Sequence, residues 1–160
     1  MDKEFIKQLL ISKKLPKLKD DKQFQISSPV NPNYNCIAWA YQLIDNKWYA
    51  TPRGSLQFDG VISFWPDDIP DGRDISCLVA LFESIGYVRC NTYEHESGFQ
   101  KVALYWKEYS QEWTHASRES RDGSFWMSKL GPSVDIHHGN PYSVEGTDYG
   151  TVYCIMKRPS

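Results

Sequence analysis

Trp113-Thr114-His115-Ala116-Ser117-Arg118-Glu119-Ser120-Arg121-Asp122-Gly123-Ser124-Phe125-Trp126-Met127-Ser128-Lys129-Leu130 reads as two strands joined by a tight turn. Asp-Gly tolerates the positive φ that a two-residue hairpin loop requires. With Asp122-Gly123 as the loop, paired positions sum to 245. Ser117 then faces Ser128, Glu119 faces Trp126 and His115 faces Leu130. Cross-strand partners share a face, so Trp113, His115, Ser117, Trp126, Ser128 and Leu130 are expected on one side. Arg118 and Lys129 fall on the other.

Outward from this hairpin the period of two continues. Strands are expected at Tyr87–Tyr93, Phe99–Trp106, Trp113–Glu119, Ser124–Leu130 and Tyr149–Met156. Upstream the pattern is helical. Residues 2–12 predict a short amphipathic helix with Phe5, Leu9 and Ile6 on one face. Asp74 is placed to cap a helix through Leu78, Leu81, Phe82 and Ile85, which Gly86 ends. Another helix is expected from Cys36 to about Asp45, with Asn35 as its N-cap. The prolines of Ser27-Ser28-Pro29-Val30-Asn31-Pro32 keep the approach to it extended. Residues 47–73 are rich in Pro, Gly and Asp, with one short strand expected at Val61–Phe64. Helices first and strands later predict an α+β fold, with N-terminal helices packed on an antiparallel sheet of about five strands. Residues 1–28 read as an N-terminal helix and Lys-rich extension, and 29–158 as the domain.

A chain of 160 residues suffices for one domain with a core of its own. Its net charge of −2 gives no overall attraction to nucleic acid. Lys13, Lys14, Lys17, Lys19 and Lys22 crowd one stretch, but no run of aromatics is interleaved to stack bases. No apolar run is long enough for a signal peptide or a membrane span, so a cytoplasmic location is expected, with export as an effector left open. Cys36, Cys77, Cys90 and Cys154 show no C-x-x-C spacing. Cys77, Cys90 and Cys154 lie in apolar patterns and read as core. His137 and His138 are adjacent and would point to opposite faces of a strand, so no metal site is expected.

Cys36 is different, because it opens a helix. The positive end of the helix dipole favours thiolate, the nucleophilic form. A working cysteine also needs a base within hydrogen-bond reach and a group that orients that base. His115 is the base expected here. Asp135, which follows the strand break at Gly131-Pro132, is favoured as orienter, because a carboxylate fixes the tautomer and stabilises imidazolium. Ser128 is a diagonal neighbour and the alternative. His138 is an outside alternative for the third member, and Asp122 is placed outside the site. Asp122 sits at the hairpin tip, about 20 Å of strand away.

Asn35-Cys36-Ile37-Ala38-Trp39-Ala40 resembles the active-site helix of papain-like cysteine peptidases. The order also matches: Cys on an early helix, His on a later strand, a polar third member one strand further on. With His115-Ala116-Ser117-Arg118, Asp122-Gly123, Ser128-Lys129-Leu130-Gly131 and Asp135-Ile136, the string is similar to a family of small bacterial proteins of unknown function, over roughly residues 30–158. The papain resemblance implies an oxyanion hole. Papain-like peptidases use a glutamine before the cysteine, and Asn31 or Asn33 stands in that region here. The Cys36 backbone N–H would be the second donor.

The activity implied is a thiol hydrolase or acyltransferase working on an amide or thioester, with a protein or peptide substrate and no cofactor. Peptidase, deamidase and transglutaminase share these residues, so the sequence leaves the choice open, as it does oligomeric state. The other class is a non-catalytic protein-binding module on the same fold, of immunity or adaptor type.

Overall fold

The structure, a computed structural model, describes residues 3–13, 15–28, 47–48, 63–64, 70, 72–129 and 135–160. Cys36, with Asn31, Asn33, Asn35 and the helix expected over 36–45, lies outside the described residues, as does Leu130.

The fold is α+β. Its centre is an antiparallel sheet built from β1 (Gln25–Ser28), β4 (Val88–Cys90), β5 (Phe99–Lys107), β6 (Glu112–Glu119), β7 (Trp126–Lys129), β8 (Asp135–His138) and β9 (Thr151–Pro159). The spatial order is β1-β8-β7-β6-β5-β9-β4, seven strands among the described residues rather than about five. The two unexpected members are β1 and β8. Each is four residues long with one apolar residue, Ile26 or Ile136, which is too little for a period of two to register. Two short strands, β2 (Lys47–Trp48) and β3 (Ser63–Phe64), pair in parallel in a separate sheet. The second coincides with the strand expected near Phe64.

Helices α1 (Lys3–Lys13) and α2 (Ile75–Glu83) cover opposite faces. Asp74 caps α2 by accepting from the Ser76 N–H at 2.9 Å. Gly86, at φ +98°, turns the chain out of it. Leu78, Leu81 and Phe82 of α2 are completely buried against Val102, Leu104, Ala116 and Met156. Each large apolar side chain placed there contributes roughly 1.5–3 kcal/mol. On the other face, Leu10, Leu15, Leu18 and Phe24 pack with Tyr105, Trp126 and Ile136. The buried stripe of α1 is therefore Ile6 and Leu10, four residues apart, while Phe5 and Leu9 face outward, 60% and 44% exposed. Among the described residues no helix is long and apolar enough to cross a membrane.

The hairpin keeps the expected register: Arg118 pairs with Met127 and Glu119 with Trp126. Its loop is longer than two residues. Ser120 N–H donates to Phe125 O at 2.9 Å, and the Asp122 carboxylate accepts from Ser124 N–H at 3.0 Å. One face assignment changes. Tyr105 pairs with His115, but Trp106 pairs with Trp113, so Thr114 is an extra residue in β6. This bulge sends Trp113 to the α2 face, opposite His115. There its indole N–H donates to Gly72 O at 2.8 Å, and the Arg73 guanidinium lies over its ring.

Candidate functional site

His115 stands in the middle of β6, completely buried on the face that carries Tyr105 and Trp126. Its ring stacks on Tyr149, centroids 4.0 Å apart and planes within 9°, and Tyr105 closes a second side at 5.1 Å. Tyr105 is itself fixed: its hydroxyl donates to Pro141 O at 2.6 Å and lies 2.9 Å from Ser117 Oγ.

Tyr149 belongs to the tight turn 146–150, closed by reciprocal backbone hydrogen bonds between Gly146 and Gly150. Gly150 has φ +73°, and a Cβ there would run into the Trp106 carbonyl. Gly150→Ala is expected to lower stability by about 1–2 kcal/mol from the left-handed backbone alone, before the steric term. Urea unfolding would read that loss, and an unchanged midpoint would contradict it.

The polar atoms of this face form a chain. His115 Nε2 lies 3.0 Å from Ser128 Oγ. Ser128 Oγ lies 2.8 Å from His138 Nε2. His138 Nδ1 lies 2.8 Å from the Asn140 carbonyl oxygen. All three side chains are fully buried. The far end is held by Asp21, whose carboxylate accepts from Gly139 N–H at 2.7 Å and from the Ser143 hydroxyl. Asn140 also caps the short helix Pro141–Val144, accepting from Tyr142 N–H at 2.9 Å.

At the near end, His115 Nδ1 is buried with no hydrogen-bond partner among the described residues. Burial, and then the nearby His138, push the His115 pKa well below its ordinary value. Burial holds His138 down at about 4, against the opposing pull of its bond to Asn140. Burial thus favours the neutral form of both rings.

The residue in contact with His115 Nε2 is Ser128, not Asp135. In β8, Asp135 pairs with Lys129 and Ile136 with Ser128, so alternation puts Asp135 on the far face. Its carboxylate lies 3.5 Å from the buried Lys129 ammonium. His138, the outside alternative on sequence grounds, is the third member of the chain. It faces the site because β8 pairs with β7, with His138 opposite Trp126. The signal available was the isolated Ile136 flanked by polar residues, which does not announce a strand. His137 points the other way and stacks on Phe125 at 4.1 Å. Among the described residues no group of three metal-ligating side chains comes together.

A second polar cluster lies further along the same strands. Lys101 is fully buried, and its ammonium donates to Thr92 O at 2.8 Å and Glu94 O at 2.6 Å while pairing with Glu96 at 2.9 Å. Glu119, buried beside it, has its pKa raised by burial, an effect that His95 at 3.4 Å opposes. The segment Tyr93–Glu96, a polar loop in sequence, is thus fastened to the sheet from below.

No curated protein and no solved structure matches the chain. Residues 25–157, which contain His115, Ser128 and His138, match the family described as Domain of unknown function (DUF7689), and the chain belongs to that family.

Proposed function

We propose that this domain is a papain-like thiol hydrolase or acyltransferase in which Cys36 is the nucleophile, His115 its base and Ser128 the group that orients His115. One observation carries the reading. His115 has one ring nitrogen tied to Ser128 and the other buried without a partner among the described residues. An imidazole held that way is set up to accept a proton at Nδ1.

In the proposed reaction the Cys36 S–H bond gives its proton to Nδ1 and its electron pair to an amide or thioester carbonyl carbon. The oxyanion that forms is held by the Cys36 N–H and by Asn31 or Asn33. Collapse breaks the bond to the leaving group, which takes the proton from His115. Water or an amine then displaces the acyl group from sulfur. The requirement is that Cys36 Sγ comes within about 4 Å of Nδ1. Burial opposes a lone imidazolium at His115, so the charge that offsets it is the thiolate itself.

A second reading, a non-catalytic protein-binding module, draws on one observation as well. His115 and His138 are completely buried, as histidines with a purely structural part often are.

Alkylation by iodoacetamide across pH, read at each cysteine by peptide mass spectrometry, separates the two. The enzyme reading expects Cys36 to react fast below about pH 7. In His115→Ala it should revert to an ordinary thiol of pKa about 8.5. Cys154, whose thiol burial pushes up to about 11, is the slow internal reference. Circular dichroism confirms that the variant is folded. A Cys36 that stays unreactive until unfolding, or that tracks the other thiols, leaves the binding module as the reading.

A further inference from the structure

We infer that His138 is a positioning residue that acts through Ser128 to hold the proton of neutral His115 on Nε2, leaving Nδ1 as the free base. The inference deepens the thiol-enzyme reading and rests on it for its functional meaning, but the proton order follows from the hydrogen-bond chain and the burial of its two rings.

The chain has a direction because one of its ends does. A carbonyl oxygen only accepts, so His138 Nδ1 must donate to Asn140 O across the 2.8 Å contact. A neutral imidazole carries one N–H, so His138 Nε2 is then bare and accepts. The partner that donates to it, at 2.8 Å, is the Ser128 hydroxyl. A hydroxyl has one proton, so Ser128 Oγ meets His115 only as an acceptor. His115 Nε2 must therefore carry the N–H across the 3.0 Å contact. The other His115 nitrogen is left unprotonated, and it is the one buried without a partner among the described residues.

A serine alone would not achieve this. Its hydroxyl rotates and can donate to Nε2 as readily as accept from it. His138 removes that freedom by occupying the proton of Ser128. Asp21 keeps the relay in place by bonding both Gly139 N–H and the Ser143 hydroxyl on either side of Asn140. Burial disfavours a second proton on either ring, as the relay requires.

The test is histidine-labelled ¹⁵N NMR of the full chain at pH 7, in wild type and in Cys36→Ala, where no thiol can influence the ring. Long-range proton–nitrogen correlations report which nitrogen of His115 bears hydrogen. Single substitutions of His95, His115 and His137 assign the signals, the His115 ring by its loss in His115→Ala. The relay expects the Nε2–H form in Cys36→Ala. It expects part of the proton population to move towards Nδ1 when His138→Phe is added, because Ser128 is then free to donate to Nε2. His138→Gln, which restores an acceptor, is expected to restore the Nε2–H form. An Nδ1–H ring in Cys36→Ala overturns the inference, and needs no His138 variant to fold. A tautomer indifferent to His138→Phe in a folded protein overturns it equally.

With Cys36 present, His138→Phe is expected to slow Cys36 alkylation at pH 7 by about ten-fold or more, and His138→Gln to rescue it. An ordinary Cys36 together with a His138-dependent tautomer would sink the enzyme reading and sustain the relay. A fast Cys36 with a His138-independent tautomer would do the reverse.

Discussion

Between pH 7 and pH 4 the protein is expected to lose about 3 kcal/mol of stability through His138 alone. Burial lowers this histidine from its ordinary 6.5 to about 4, and every tenfold change in proton affinity is worth about 1.4 kcal/mol. The sign follows from proton binding. As pH falls through 6.5 the unfolded chain takes up a proton at residue 138, and the folded protein does not until about 4. Stability therefore falls throughout that window, and all of it is present only above it. His115, also lowered by burial, adds in the same direction.

Glu119 opposes them. Its raised pKa means that the folded state binds the extra proton, so its contribution grows as pH falls towards the ordinary glutamate range. A difference between two proteins isolates the histidine. Urea unfolding at half-unit pH steps should give a steep profile in wild type and a flatter one in His138→Gln, the difference between them changing by about 3 kcal/mol from pH 7 to pH 4. Parallel profiles would mean that His138 titrates alike in folded and unfolded chains, and its buried neutral state would be wrong.

Lys101→Ala is expected to cost about 3–4 kcal/mol. The side chain is fully buried, so truncation leaves a cavity along its stem. It also removes one donor from two backbone carbonyls and one carboxylate at the same time. Glu96 retains Lys157 at 2.8 Å and is partly exposed, so its charge is not stranded. The Thr92 and Glu94 carbonyls have to find water instead. Lys101→Met keeps the apolar stem and should recover about 1–2 kcal/mol. Urea unfolding ranks the three proteins, and limited proteolysis at residues 91–98 tests whether that segment is released. A loss below about 1 kcal/mol for the alanine variant would show that the ammonium is not what holds the loop.

What the chain reveals before it folds differs sharply between neighbouring residues. Asp122-Gly123 and the flanking alternation were enough to pair Glu119 with Trp126 and to bring Ser117, Ser128 and His115 to one face. Asp74 and Gly86 marked the ends of α2 in the same way. Each of these is a local matter. A turn that needs positive φ, a cap that needs an oxygen, and a strand that alternates all act over a few residues, and the sequence carries them directly.

The choice between Asp135, Ser128 and His138 was not local. It turned on whether residues 135–138 form a strand, and on which side of the hairpin they pair. Four residues with one apolar member do not decide that for themselves; β7 and β1, pairing on either side, do. Once paired, a period of two sends Asp135 to Lys129 and His138 to Ser128 with no freedom left. The bulge at Thr114 is the same kind of event, moving Trp113 away from His115 without a mark in the sequence.

The α+β class, the hairpin register and the face that carries His115 are therefore written in the order of the amino acids. That His115 meets Ser128 and His138 rather than a carboxylate emerges only when distant strands assemble. Local backbone preferences are encoded residue by residue, whereas the partner of a buried polar atom depends on which strands come to lie side by side.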